Sequence, residues 1–263
     1  MIRVAAVGDI HMGLDSQGVL RPAFETLPDC ADILLLAGDL TRHGTPEEAR
    51  VVAREIKDLG VPVVAVLGNH DHHDGHPDEV TAILREGGAH VLEGEATVVS
   101  HGGLRIGVAG TKGFGGGFVG RCAGEFVEPV MKEFVRYSRH RADGLRAALE
   151  ELHRYECDAR IALTHFAPVA DTLAGEPMEI YPFLGSYLLA EAIDTAGADL
   201  AVHEHAHAGT EHGMTGGGVK VRNVAQPVIG RAFHIYSLDS RQPGEAPSAR
   251  DTRPSPTAQT GEQ

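Results

Sequence analysis

Three short apolar runs in the first third of the chain, Ile2–Val7, Ile33–Leu36 and Val61–Leu67, each give way to a polar cluster rich in Asp, Asn and His. An unbroken apolar, β-branched run is what a strand buried on both faces requires. Between the second and third runs lies a well-marked helix. Thr45 is its N-cap, Pro46 its first helical residue and Glu48 the partner of a capping box, and Gly60 stops it near Leu59. Strands alternating with helices confine this third of the chain to a sheet with helices laid against it.

The pattern continues further along. A helix is expected from about Pro77 to Arg85, ending at Gly87-Gly88. Ala96–Ser100 and Leu104–Ala109 flank His101-Gly102-Gly103 as a β-hairpin. Gly113–Gly117 reads as a flexible loop at the rim of a cleft. No Gly-Lys-Ser/Thr follows it, so it is not a P-loop. Residues from about Val130 to Tyr155 carry leucines at helical spacing. Ile161–Leu163 and Asp199–Val202 read as strands, Gly185–Ala196 as a helix, and Val219–Val224 and Ala232–Leu238 as closing strands. From Ser240 the composition turns to Pro, Ser, Thr, Gly and charge, which predicts a disordered tail over 240–263. Residues 1–239 are therefore expected to form the folded domain. Residues 111–155, which hold no metal-ligating motif, are where a substrate-defining cap is expected.

Composition narrows the function. The 263 residues carry a net charge of −14 with neutral histidines, which disfavours a nucleic-acid footprint. No apolar stretch approaches the ~20 residues of a membrane span. The early run leads straight into Asp9 without the pattern of a signal peptide. Cys30, Cys122 and Cys157 form no Cys-x-x-Cys pair and read as reduced thiols. Together these features predict a cytoplasmic protein with no membrane partner.

Five polar clusters follow one another: Asp9-Ile10-His11, Gly38-Asp39, Gly68-Asn69-His70-Asp71, Thr164-His165 and His205-Ala206-His207. They offer three carboxylates, an amide and five imidazoles, a mixed N/O set able to hold two divalent ions and activate water. Asp9 and His11, if extended, would point to one side, as would His205 and His207. Asp39 could bridge two cations, with Gly38 allowing a sharp turn beside it. His70 could face the substrate and move a proton, supported by Asp71.

In this order the clusters resemble the calcineurin-like metallophosphoesterases, from Asp9 to His207. The resemblance implies a four-layer αββα sandwich, an α/β (α+β) fold of two mixed sheets flanked by helices. It implies that Asp9, His11 and His207 bind one metal ion and Asn69, His165 and His205 a second, with Asp39 between them. His70 would be the catalytic imidazole, and a metal-bridging hydroxide would attack phosphorus in line. The ions would be two divalent or trivalent metals: Mn, Fe, Zn or Co. The expected reaction is hydrolysis of a small-molecule phosphodiester, cyclic and other nucleotide diesters included. Monoester hydrolysis, nuclease action and a non-catalytic scaffold are the alternatives.

One residue departs from the pattern. The last motif usually begins with Gly, and this chain has Glu204. Glu204 could be a benign variant, a partner of a ligating histidine, or an intruder that inhibits. His203 is a further candidate for a supporting role. His43, Asn69 and His70 are candidate substrate contacts. Lys112, Arg121, Arg136, Arg139 and Arg141 could supply a phosphate clamp. His72, His73 and His76 crowd one loop, where a solvated surface is favoured over a third metal site.

Overall fold

The computed structural model describes residues 1–126 and 128–240; the rest of the stretch read as a tail, from 241 on, lies outside the described residues. Strands β1 (Ile2–Val7), β2 (Ile33–Leu36), β3 (Val63–Ala65) and β4 (Ala89–Val91) run parallel in one sheet. Next along the chain come β5 (Glu95–His101), β6 (Leu104–Thr111), the two-residue strands β7 (Gly117–Phe118) and β8 (Arg121–Cys122), and β9 (Ala159–Thr164). The last four are β10 (Leu200–His203), β11 (His212–Met214), β12 (Lys220–Asn223) and β13 (His234–Leu238). The first sheet has the order β13-β1-β2-β3-β4, with β13 antiparallel on the edge. The second has the order β11-β12-β10-β9-β6-β5, and β7 and β8 form a two-stranded sheet.

Alternation along the strands builds three apolar layers. Val4, Ala6, Ile33, Leu35, Val64 and Val66 face Ile106, Val108, Ile161, Leu163, Leu200 and Val202 between the sheets. Ala5, Val7, Leu34 and Leu36 point the other way, against Val52 and Ile56 of the Pro46–Ile56 helix and Leu84 of the Pro77–Glu86 helix. On the far side, Ala162 and Ala201 pack under Leu145 and Leu149 of the Pro129–Glu151 helix and Ile193 of the Tyr187–Ala196 helix. Helix, sheet, sheet, helix is the four-layer order expected. Because both faces of β1, β2 and β3 are covered, those strands show no polar alternation.

Local signals held where the chemistry was local. Thr45 Oγ1 accepts the Glu48 N–H at 3.3 Å, as an N-cap should. The β5–β6 hairpin turns through Gly102 and Gly103 at φ 57° and 82°, a pair of left-handed residues that glycine supplies without steric cost. The Gly113–Gly117 loop differs from the open rim expected. Gly116 and Gly117 donate N–H bonds to the carbonyls of Pro182 and Gly185 at 2.7 and 2.9 Å. A Cβ on Gly115 would lie 2.5 Å from the Pro182 oxygen. These glycines let two backbone segments cross in contact. Strands β4 and β11 were missed because each is a three-residue strand at or near a sheet edge with an exposed histidine, too short to show a period.

Leu35 lies fully buried between the sheets. Leu35→Ala is expected to cost roughly 2–5 kcal/mol of unfolding free energy in a urea titration. A loss below about 1 kcal/mol would mean that this layer collapses around the cavity.

Candidate metal centre

The carboxyl ends of β1, β2 and β3 in one sheet and of β9 and β10 in the other deliver all five clusters to one place. Backbone bonds lace the loops together: Asp9 N–H to Gly38 O at 3.1 Å, His11 N–H to Asp39 O at 3.0 Å, and Gly8 N–H to Val224 O at 3.0 Å. The loops are strained. Among the described residues, five other than glycine have positive φ, and four of them are Asp9 (59°), His11 (40°), Asp39 (46°) and His205 (76°). Left-handed backbone at such residues costs free energy and persists only where the surroundings fix it. This corrects the extended geometry expected for Asp9–His11 and His205–His207. The side chains converge because the backbone turns left-handed at these residues.

Two ligand groups result. Asp9, His11, Asp39 and His207 bring one donor atom each within 4.8 Å of one another, and so do Asp39, His165 and His205. Asp39 is common to both. The His11 and His207 Nε2 atoms lie 2.5 and 3.0 Å from Asp9 Oδ1. Asn69 Oδ1 stands 2.7 Å from His165 Nε2, adding an amide oxygen to the second group. Asp39 Oδ2 and His205 Nδ1 are buried without a hydrogen-bond partner. An orphaned polar atom in each of two proposed ligands, one of them common to both groups, is what cations would satisfy, so these residues fit a pair of metal ions. His72, His73 and His76 belong to neither group.

Electrostatics separate the two groups. Burial works against charge on Asp9, but hydrogen bonds from His11 and His207 prevail and hold its carboxyl at about 2. The Asp9 hydrogen bond in turn raises His11 to about 9, and it raises His207 as well. Burial pushes His165 down to about 4 and, with the His165 charge, pushes His205 well below its ordinary value.

Other predicted residues fall in distinct places. The His70 Nδ1 sits 2.9 Å from the Arg42 carbonyl, the His70 backbone N–H donates to Asp39 Oδ1 at 2.8 Å, and the His70 ring lies 4.4 Å from that of His11. Asp71 differs from expectation. Its buried carboxylate accepts from Leu40 N, Thr41 N, Thr41 Oγ1 and Gly68 N at 2.6–3.2 Å, and it makes no bond to the His70 ring. It ties the β2 and β3 loops together. His203 is buried between the Glu204 carbonyl and Thr172 Oγ1, away from both ligand groups. His43 is exposed and faces Glu48 at 2.9 Å.

Of the cationic residues, Arg139 pairs with Glu125 and Arg141 with Glu93. Arg121 meets the Met178 sulfur, and Arg136 is exposed. Lys112 is buried among Phe114, Tyr137 and Phe166. Sequence reasoning missed two participants, the carbonyls of Arg42 and Phe183. The latter accepts from His205 Nε2 at 3.3 Å, leaving the orphaned Nδ1 as the ligand atom. A backbone carbonyl carries no signature in sequence.

Comparison with known proteins agrees with this geometry. The family profile described as calcineurin-like phosphoesterase matches residues 2–209. The chain belongs to that family. That family is one of phosphoesterases built on a dinuclear metal centre. A Synechococcus protein named "Probable cyclic nucleotide phosphodiesterase" is 32% identical over 92 residues, which cover 31% of this chain and 34% of the relative. The phosphopantetheinyl hydrolase of Mycobacterium tuberculosis has a similar fold, with TM-score 0.61 and 18% identity over 93% of this chain and 98% of that one. The TT1561 protein of Thermus thermophilus has TM-score 0.55 and 22% identity over 84% and 88%. Among the described residues, no helix is long and apolar enough to cross a membrane.

The pKa contrast predicts unequal proton release. In the metal-stripped protein below about pH 9, His11 carries a proton that a cation must displace, so affinity at that site rises roughly tenfold per pH unit toward pH 9. Burial holds His165 at about 4 and His205 well below its ordinary value, so affinity at their site depends less on pH. Calorimetric Mn²⁺ titrations at pH 6, 7 and 8 in buffers of different ionisation enthalpy measure both slopes. Equal slopes would refute the contrast.

Proposed function

We propose that the protein hydrolyses small phosphodiesters, nucleotide diesters among them, with two metal ions. The observation that carries this reading is Asp39, one buried carboxylate common to two ligand groups, with an anchored imidazole, His70, beside it. In this reading Asp9, His11 and His207 hold one cation, Asn69, His165 and His205 hold the other, and Asp39 bridges. The donor set suits Mn, Fe, Zn or Co. Bound there, the pair supplies Lewis acidity and an activated water at neutral pH.

The chain's own residues do the rest. A carbonyl can only accept, so His70 must present Nδ1–H to Arg42, and Nε2 is its working nitrogen. When protonated, Nε2 donates to the departing oxygen. That matters most for a poor alkoxide leaving group, which favours diesters. Asp71 acts on the site only through the backbone it holds.

Residues 111–155 and the segment around Phe183 would bound the substrate side. The Lys112 carbonyl accepts the His165 N–H at 3.2 Å, and the exposed Met178, Ile180 and Phe183 offer an apolar rim for an organic substituent. The net charge of −14 argues for a small substrate over a nucleic-acid strand. The Synechococcus relative's name supports a cyclic nucleotide as the first substrate to try.

The test compares a cyclic nucleotide, bis(p-nitrophenyl) phosphate and p-nitrophenyl phosphate with Mn²⁺-loaded protein. Diesters are expected to turn over faster, and faster monoester hydrolysis would overturn the diester reading. His70→Ala should keep both metals and lose about 10²–10⁴-fold in kcat on the cyclic nucleotide, with a smaller loss on the nitrophenyl diester. An equal loss on both would remove His70 from proton donation. Asp39→Asn is expected to weaken both cations together, read by metal analysis after dialysis. Loss of a single ion would show that Asp39 does not bridge.

A further inference from the structure

Glu204, standing where this family usually has glycine, is fully buried. One of its carboxylate oxygens faces Nδ1 of His165, and the other accepts the backbone N–H of His205. The left-handed φ in this turn falls on His205, so the backbone does not demand glycine at 204. Room for the side chain comes from Gly8, where a Cβ would lie 2.4 Å from Glu204 Cγ. Both oxygens are engaged away from the two ligand groups, and neither group includes Glu204. It is not an intruding ligand.

The consequence concerns the other end of the His165 ring. Nε2 receives the Asn69 backbone N–H at 3.3 Å and stands 2.7 Å from Asn69 Oδ1 and 4.0 Å from Asp39 Oδ1. An ion held by the second group would take the Nε2 lone pair, leaving the ring hydrogen on Nδ1, where Glu204 accepts it. A carboxylate behind a ligating histidine fixes its tautomer and ring angle and makes it a stronger donor. His205 has only a neutral carbonyl, that of Phe183, behind its ring.

We propose that Glu204 is a positioning residue that orients His165 and tightens the second cation site, an inference that rests on the dinuclear reading above. Three buried carboxyl groups, those of Asp9, Asp39 and Glu204, then share one centre.

Metal-stripped wild type, Glu204→Gln and Glu204→Gly are titrated with Mn²⁺ against a fluorescent chelator. Wild type should bind two ions. Both variants should hold the first as wild type does and the second about 10–100-fold more weakly. A second readout does not depend on how the variants fold. Histidine-selective ¹⁵N NMR of the Zn²⁺-loaded wild type should show His165 as the Nδ1–H tautomer, and an Nε2–H tautomer would overturn the proposal. Two ions bound with unchanged affinity in both variants would overturn it alone. A wild type that binds fewer than two would overturn the dinuclear reading and this inference with it.

Discussion

The buried carboxylate of Asp71 holds two loops that come from different strands, and the metal centre depends on that junction. Three backbone N–H groups and one hydroxyl converge on it from residues 40, 41 and 68. A carboxylate so satisfied is stable without a metal or a counter-ion, because backbone dipoles offset its burial. Asp39 and Asn69 sit on either side of the junction. Their separation is therefore set by protein hydrogen bonds, and the ligands are arranged in advance of any ion.

Pre-arrangement has a cost, visible in the backbone. Asp9, His11, Asp39 and His205 all adopt left-handed conformations that their side chains disfavour. The buried carboxyl groups of Asp9, Asp39 and Glu204 are also gathered in a small volume, where burial and the Asp39 and Asp9 charges work against charge on Glu204 and raise its pKa well above the ordinary value. Three rigid layers of apolar packing, on both faces of both sheets, over-determine the strand ends and hold these residues in place. Cations at the centre would relieve the repulsion, so folding and metal binding are expected to reinforce each other.

The contact between Gly8 and Glu204 illustrates how one site accommodates an unusual residue. Position 8 provides the space and position 204 fills it, although they lie 196 positions apart in sequence. The added carboxylate lands behind a histidine and leaves the ligand atoms alone. Neither residue explains itself without the other.

The sequence by itself determined strands β1, β2, β3 and β13 of the first sheet, the capped helix after Thr45 and the glycine hairpin, because each depends on neighbours within a few residues. The four-layer order came only with the family resemblance, since period and propensity cannot tell which apolar faces meet. Tertiary structure alone decided the rest. It showed Asp71 serving the backbone instead of His70, the glycines at 113–117 packing against residues 182–185, carbonyls orienting His70 and His205, and Glu204 seated against His165. Those outcomes depend on backbone groups and on vacated space, and side-chain identity encodes neither.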